Sequence, residues 1–128
     1  MLSQHTPAAT LPTADLPRAR SFYEGTIGLT QQREGMGGVS YKCGDGMVFV
    51  YESEYAGTNK ATAVSFEVPM SAFDAEVRAL REKGVIFMTF DAQGLEWNEG
   101  VASIGDAMKA VWFTDPDGNI LNVTAGQM

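Results

Sequence analysis

A chain of 128 residues is the size of one compact domain and is long enough to bury a core. Its composition, 45% hydrophobic and 20% charged, is that of an ordinary globular protein rather than a disordered one. The net charge is −7, and no cluster of Lys and Arg is available to meet phosphate groups, which argues against nucleic acid and against anionic membrane surfaces.

Cys43 is the single cysteine, so no intrachain disulfide can form, which fits a reducing compartment. The opening MLSQHTPAATLP lacks the apolar core of a signal peptide. No stretch approaches the ~20 apolar residues of a membrane span. A cytoplasmic location is the expectation.

The first predicted element is a short strand over 8–12 (AATLP), followed by a helix in DLPRARSFYEGTIGL. Asp15 can cap that helix and Pro17 is tolerated in its first turn. Leu16, Ala19, Phe22, Tyr23 and Ile27 recur at helical spacing, and Gly25 and Gly28 end the run. Strands are expected over 30–34, 38–43 and 46–52, separated by glycine-rich turns as in a meander. The polar stretch SEYAGTNK closes this half.

The second half repeats the order. TAVSFEV, 62–68, reads as a strand, and SAFDAEVRALREKG reads as a helix with Ser71 as N-cap and Asp74 completing a capping-box variant. Phe73, Val77 and Leu80 make its apolar stripe, Asp74 and Arg78 are spaced as an ion pair, and Gly84 suits the position after the helix. Strands over 85–90, 107–114 and 119–124 complete the pattern. The intervening DAQGLEWNEGVASIGD is long and irregular, which marks it as a candidate functional loop. Strand–helix–three strands, twice, predicts an α+β domain of two modules, about 8–52 and 62–124.

DLPRARSFYEGTIGL followed by VWFTDPDGNILNV resembles the vicinal oxygen chelate superfamily, also called the glyoxalase/bleomycin-resistance/dioxygenase superfamily. The resemblance runs from about residue 8 to 124, and YESEYAGTNKATAVSFEV is similar to a bacterial branch described only as glyoxalase-like. It implies two βαβββ modules whose mixed sheets curl round a cavity, and a homodimer with that cavity at or near the interface. Metal-dependent members hold a divalent cation on four strands with His and Glu side chains, as a Lewis acid for vicinal oxygens. Carried onto this sequence, those positions fall on Ala8, on Phe49 or Tyr51, on Ala63 and on Asn122. None is an imidazole or a carboxylate.

Strand alternation points the same way. Val48 and Val50 share one face and Met47, Phe49 and Tyr51 the other. Val64, Phe66 and Val68 oppose Ala63, Ser65 and Glu67, while Leu121 and Val123 oppose Ile120, Asn122 and Thr124. The expected ligand-binding surface therefore comprises Ala8, Phe49, Tyr51, Ala63, Ser65, Trp97, Trp112 and Asn122, aromatic and weakly polar, with no metal ligand and no cofactor. Trp97 reads equally as a lid or as a dimer contact. Glu67, the inward-facing member among Glu52, Glu54, Glu67, Glu96 and Glu99, is the one weak candidate for a catalytic base, provided it is buried. Asp115 and Asp117 read as turn formers. His5 reads as a solvated N-terminal residue, and Cys43 as a small buried or edge residue without a nucleophile's partner.

Three functions stay open. The first is a metal-free protein that binds a small molecule in an aromatic-lined cavity, without catalysis. The second is a metal-dependent lyase, isomerase or dioxygenase with displaced ligands such as His5 and Glu67, and the third a non-catalytic dimeric accessory module.

Overall fold

A computed structural model of the chain describes residues 1–126. A short 3-10 turn, Leu2–Gln4, leads into β1, Ala8–Thr13, where Leu11 and Thr13 are buried. Helix α1, Leu16–Arg20, begins where the Asp15 carboxylate accepts the Arg18 N–H at 3.1 Å. Pro17 lies in its first turn, where a missing N–H leaves no bond unmade. The helix then widens into a π-helical turn, Ser21–Thr26, that carries Phe22 and Tyr23 into the core, and Gly28 at φ 75° ends it.

The meander that follows is β2 (Thr30–Gly35), β3 (Gly38–Cys43) and β4 (Gly46–Glu52). These strands and β1 form a sheet of order β1-β4-β3-β2, in which β1 runs parallel to β4. The second module consists of β5 (Thr62–Glu67), α2 (Met70–Glu82), β6 (Glu96–Asn98), β7 (Val101–Ile104), β8 (Met108–Thr114) and β9 (Ile120–Gly126). Its sheet has the order β5-β9-β8-β7-β6, with β5 parallel to β9. Both sheets are mixed and neither closes. No helix among the described residues is long and apolar enough to cross a membrane.

The alternation read from sequence sets the two faces of each sheet. Val39, Tyr41, Val48 and Val50 of the first sheet and Val111, Phe113, Leu121 and Val123 of the second are buried in a single core. Ala19 and Tyr23 of the first module, with Phe73, Val77 and Leu80 of α2, complete it. Burying each of the larger apolar side chains contributes roughly 1.5–3 kcal/mol, so this shared core is the main force joining the modules. The opposite faces stay open: Ala8, Thr10, Ala63, Ser65 and Glu67 are exposed.

Several local expectations need correction. The N-cap of α2 is Pro69, with no side-chain cap bond, so Ser71 sits inside the first turn rather than before it. Asp74 meets Lys109 of β8 at 3.5 Å and not Arg78, because α2 lies along β8 and β9 and brings the strand's cation closer. Residues 85–90 do not make a ladder; one bridge, Met88 to Trp112, joins them to β8. The rest of that edge of β8 is taken by β7, whose pairs run from Ala102↔Ala110 to Ile104↔Met108. The stretch expected as irregular loop thus supplies a strand, and β6 and β7 form a hairpin with Glu99 at φ 50° and Gly100 at φ 83° in its turn. Arg81 secures this turn by donating to the Glu99 carbonyl.

Asp115 and Asp117 do form the turn, with Gly118 at φ 83° donating its N–H to the Asp115 carbonyl at 3.0 Å. They also fasten the two modules. The Asp115 carboxylate accepts from the backbone N–H groups of Asp117 and Asn119, from the Asn119 amide and from the Tyr23 hydroxyl of the other module. Asp117 accepts from the Thr13 hydroxyl at 2.6 Å and the Ala14 N–H at 2.9 Å. Asn119 donates to the Pro12 carbonyl at 2.9 Å. Burial, with Asp115 beside it, pushes the Tyr23 phenol far above its ordinary range. Arg18 also donates to Asp117 at 3.3 Å, so both carboxylates are engaged by N–H and O–H donors, which leaves them little to offer a metal.

Candidate functional site

The open face of the second sheet carries a cavity of about 740 Å³. That volume lies within the usual range for small-molecule sites. Its floor is built by strand parity: Met108, Ala110 and Trp112 project from β8, and Asn122 and Thr124 from the adjacent β9. Phe90 and Leu95, from the segment preceding β6, line another part, and Glu67 at the end of β5 contributes the one charged group. Phe90, Trp97 and Trp112 pack on one another with ring centroids 4.9–6.0 Å apart, and the Trp112 indole N–H donates to the Thr62 hydroxyl at 3.2 Å. Edge-to-face aromatic contacts of this kind hold the wall in one arrangement.

Asn122 is 5% exposed and its orientation is decided by chemistry. Its Nδ2 donates to the Val111 carbonyl at 3.0 Å, so that end must be the nitrogen. Oδ1 accepts no bond from the described residues, and among those residues no fully buried side-chain nitrogen or oxygen lacks a partner. The oxygen therefore opens onto the cavity.

The remaining residues singled out from the sequence lie elsewhere. Phe49 lines a second hollow of about 500 Å³ on the open face of the first sheet, with Met47, Ser40 and Arg33, and Tyr51 stacks on it at 5.9 Å. Phe49 also covers Gly38, where an added Cβ would meet its ring at 2.8 Å. Ser65 lines a seam of about 360 Å³ between β1 and β5, together with Cys43 and Glu67. Burial pushes the Cys43 thiol upward, away from the reactive thiolate. Ala8 and Ala63 are exposed and line neither open-face hollow. Trp97 supports Trp112 and Phe90 from behind and borders a separate shallow hollow with Asp91.

Within one chain, then, Trp112 and Asn122 share a cavity, Phe49 and Tyr51 occupy the other sheet, and Ser65 lies on the seam between them. Sequence reading missed Phe90, Leu95, Ile104, Met108 and Ala110. Period-two alternation back from Trp112 would have found Ala110 and Met108; nothing local marked Phe90 or Leu95. Glu67 lines the cavity but is exposed, so the burial on which a base role depends is not present in the chain. His5 is exposed beside the N-terminal turn and does not line the cavity.

A family model described as the Glyoxalase/Bleomycin resistance protein/Dioxygenase superfamily matches residues 5–123. The chain belongs to this superfamily. Solved structures with the superfamily's fold superpose along nearly the whole length. A glyoxalase/bleomycin resistance protein/dioxygenase from Alicyclobacillus acidocaldarius has a TM-score of 0.74 at 13% identity, covering 97% of this chain and 92% of its own. An integron cassette protein from the mobile metagenome of a Halifax Harbour sewage outfall gives 0.68 at 22% identity, covering 95% and 98%. The fosfomycin resistance protein FosX from Mesorhizobium loti gives 0.69 at 15% identity, covering 98% and 94%. No curated protein matches the chain.

The superfamily's divalent metal was tested against the residues available. The positions carried over from the resemblance hold Ala8, Phe49 or Tyr51, Ala63 and Asn122, two methyl groups, an aromatic ring and an amide. Among the described residues no three His, Cys, Asp or Glu side chains are gathered closely enough to hold a metal ion. This donor set does not fit a divalent cation, whose protein sites are built from several carboxylates, imidazoles or thiolates.

Proposed function

We propose that this superfamily member is a metal-free small-molecule binding protein whose ligand occupies the cavity on the open face of the second sheet. One observation carries the reading: a cavity of about 740 Å³ is walled by Trp112, Phe90 and Leu95 and is offered the free amide oxygen of Asn122, yet among the described residues it gathers no chelating set. An apolar wall with a few fixed polar groups is how small-molecule sites are generally built. Apolar burial supplies affinity, and the Asn122 oxygen orients the ligand. A protein similar in fold is named for resistance to fosfomycin; only the general class, a small organic molecule, is extended to this chain.

The same reading takes the protein as a cytoplasmic homodimer. The open face of the first sheet, with Phe49 and Tyr51, is the surface a second copy would cover, leaving the cavity of the second sheet to its ligand. Light scattering coupled to size exclusion measures the assembly directly; a monomer at working concentration would sink that part.

The test of binding is a thermal-shift screen of small organic compounds, followed by tryptophan fluorescence titration of the hits. Stabilisation by a compound, unchanged by added Zn, Ni, Mn or Fe, is the expected result. Elemental analysis of protein purified without chelators discriminates against the metalloenzyme reading. Stoichiometric metal there, or stabilisation by metal alone, would overturn the proposal.

A further inference from the structure

The polar groups of the cavity share one property: they accept hydrogen bonds and have almost none to give. Asn122 has committed its Nδ2 to the Val111 carbonyl at 3.0 Å, with the Val123 carbonyl a longer second acceptor at 3.5 Å, and it turns Oδ1 to the cavity. Thr124, two residues further on and on the same face, lies 3.4 Å from the Lys109 carbonyl, to which its hydroxyl can donate while its oxygen lone pairs remain available. Glu67 lies opposite Thr124 in the β5–β9 ladder, and it pairs with no cation among the described residues. Gln93, exposed at the rim, carries an amide that can both donate and accept. No Lys, Arg or His lines the cavity. Lys109, the cation nearest in sequence, projects from the opposite face of β8 to meet Asp74.

Resting on the binding function proposed above, we infer that this cavity selects organic cations that donate hydrogen bonds, a protonated amine or amidinium carried on an aromatic body. The charged N–H group meets Asn122 Oδ1 and the Glu67 carboxylate, while the aromatic body lies against Trp112 and Phe90. Three physical effects favour this class. A cation is attracted to the faces of indole and phenyl rings. A donor satisfies the amide oxygen that faces the cavity, which would otherwise lose its water when an apolar group covered it. A carboxylate or phosphate ligand would bring acceptors against acceptors with no cation to offset them, and that exclusion is as selective as the attraction.

The experiment uses three probes of one shape and three charges: naphthalene-2-carboxamidine, naphthalene-2-carboxamide and naphthalene-2-carboxylate. Each is titrated into the intact protein at pH 7, with intrinsic tryptophan fluorescence and the indole N–H resonances as readouts. The amidinium is expected to bind at least ten-fold more tightly than the amide, with no saturable binding of the carboxylate. Glu67→Gln, at an exposed position, is expected to weaken the amidinium about five-fold or more and to leave the amide within two-fold; unchanged thermal melting confirms that its fold is intact. Equal affinity for amidinium and amide, or a tighter carboxylate, would overturn the selectivity while leaving the small-molecule reading standing. Failure of all three probes to perturb Trp112 would overturn both.

Discussion

Replacing Asn122 by aspartate tests how the buried amide is oriented, on which both functional readings depend. The substitution is nearly isosteric and reinstates the carboxylate that metal-binding relatives would carry in the last strand. In this chain the Nδ2 that donates to the Val111 carbonyl at 3.0 Å would become an oxygen facing an oxygen, at a residue only 5% exposed. The lost neutral hydrogen bond costs about 1 kcal/mol, and the unsatisfied buried carbonyl adds about 1–3 kcal/mol. The new carboxyl can avoid acceptor-against-acceptor contact by keeping its proton and donating to Val111, so desolvation raises its folded pKa above the unfolded value of about 3.9.

A group whose folded pKa is raised contributes stability that is present below the unfolded pKa and lost as pH climbs to the folded one. Asn122→Asp should therefore approach the wild type only at about pH 4 and below, and fall about 2–4 kcal/mol below it by pH 7. At roughly 4 °C of melting temperature per kcal/mol for a domain of this size, the deficit at pH 7 is about 8–16 °C. Urea unfolding of both proteins at pH 5, 6 and 7 measures it. A variant as stable as the wild type at pH 7, with no widening gap, would mean that Nδ2 is not committed to Val111. The acceptor-lined cavity would then lose its basis.

Three further outcomes follow from the same geometry. Asp117→Ala removes the acceptor for Thr13 and Ala14, and since Thr13 keeps the Asp15 carbonyl at 3.1 Å, the main orphan is the Ala14 N–H; a loss of about 2–3 kcal/mol in chemical denaturation is expected, and less than 1 would show that the turn does not hold the modules together. Tyr23→Phe deletes the phenol donated to Asp115, at a cost of about 1.5–3 kcal/mol. Because the Tyr23 pKa is raised on folding, the wild type should lose stability as pH rises above about 10, and the variant should lose it less steeply, with Tyr41, also shifted upward by burial and by Glu24, accounting for the remainder; parallel alkaline melts of the two proteins would refute this. Gly38→Ala would press a Cβ on the Phe49 ring and on the β4 backbone, lowering stability by about 1–3 kcal/mol, and removing the ring in a Phe49→Ala background should relieve only part of the loss.

What the sequence by itself determined is what period and local chemistry can encode. Alternation placed Val48, Val50, Leu121 and Val123 against the helices and Phe49, Asn122 and Thr124 on the open faces, because successive strand residues point to opposite sides whatever the neighbours. Asp15 as cap, Gly84 after α2 and the Asp-Pro-Asp-Gly turn were legible for the same local reason. Family membership was legible too, because the motifs that carry it lie in local stretches at the two ends of the domain.

Tertiary structure decided what depends on partners distant in sequence. Residues 85–90 have the composition of a strand, but β8 had one free edge to offer and β7 filled most of it. Asp117 and Asn119 look like turn residues, yet their side chains act mainly on Thr13, Ala14 and Pro12, about a hundred positions away in the chain. Within this chain, Trp112 and Asn122 line one hollow and Phe49 another, a division that strand parity cannot express because it ranks faces and not sheets. The direction of the Asn122 amide was decided last of all, by one carbonyl of the neighbouring strand, Val111, and that contact aims the amide oxygen at the cavity.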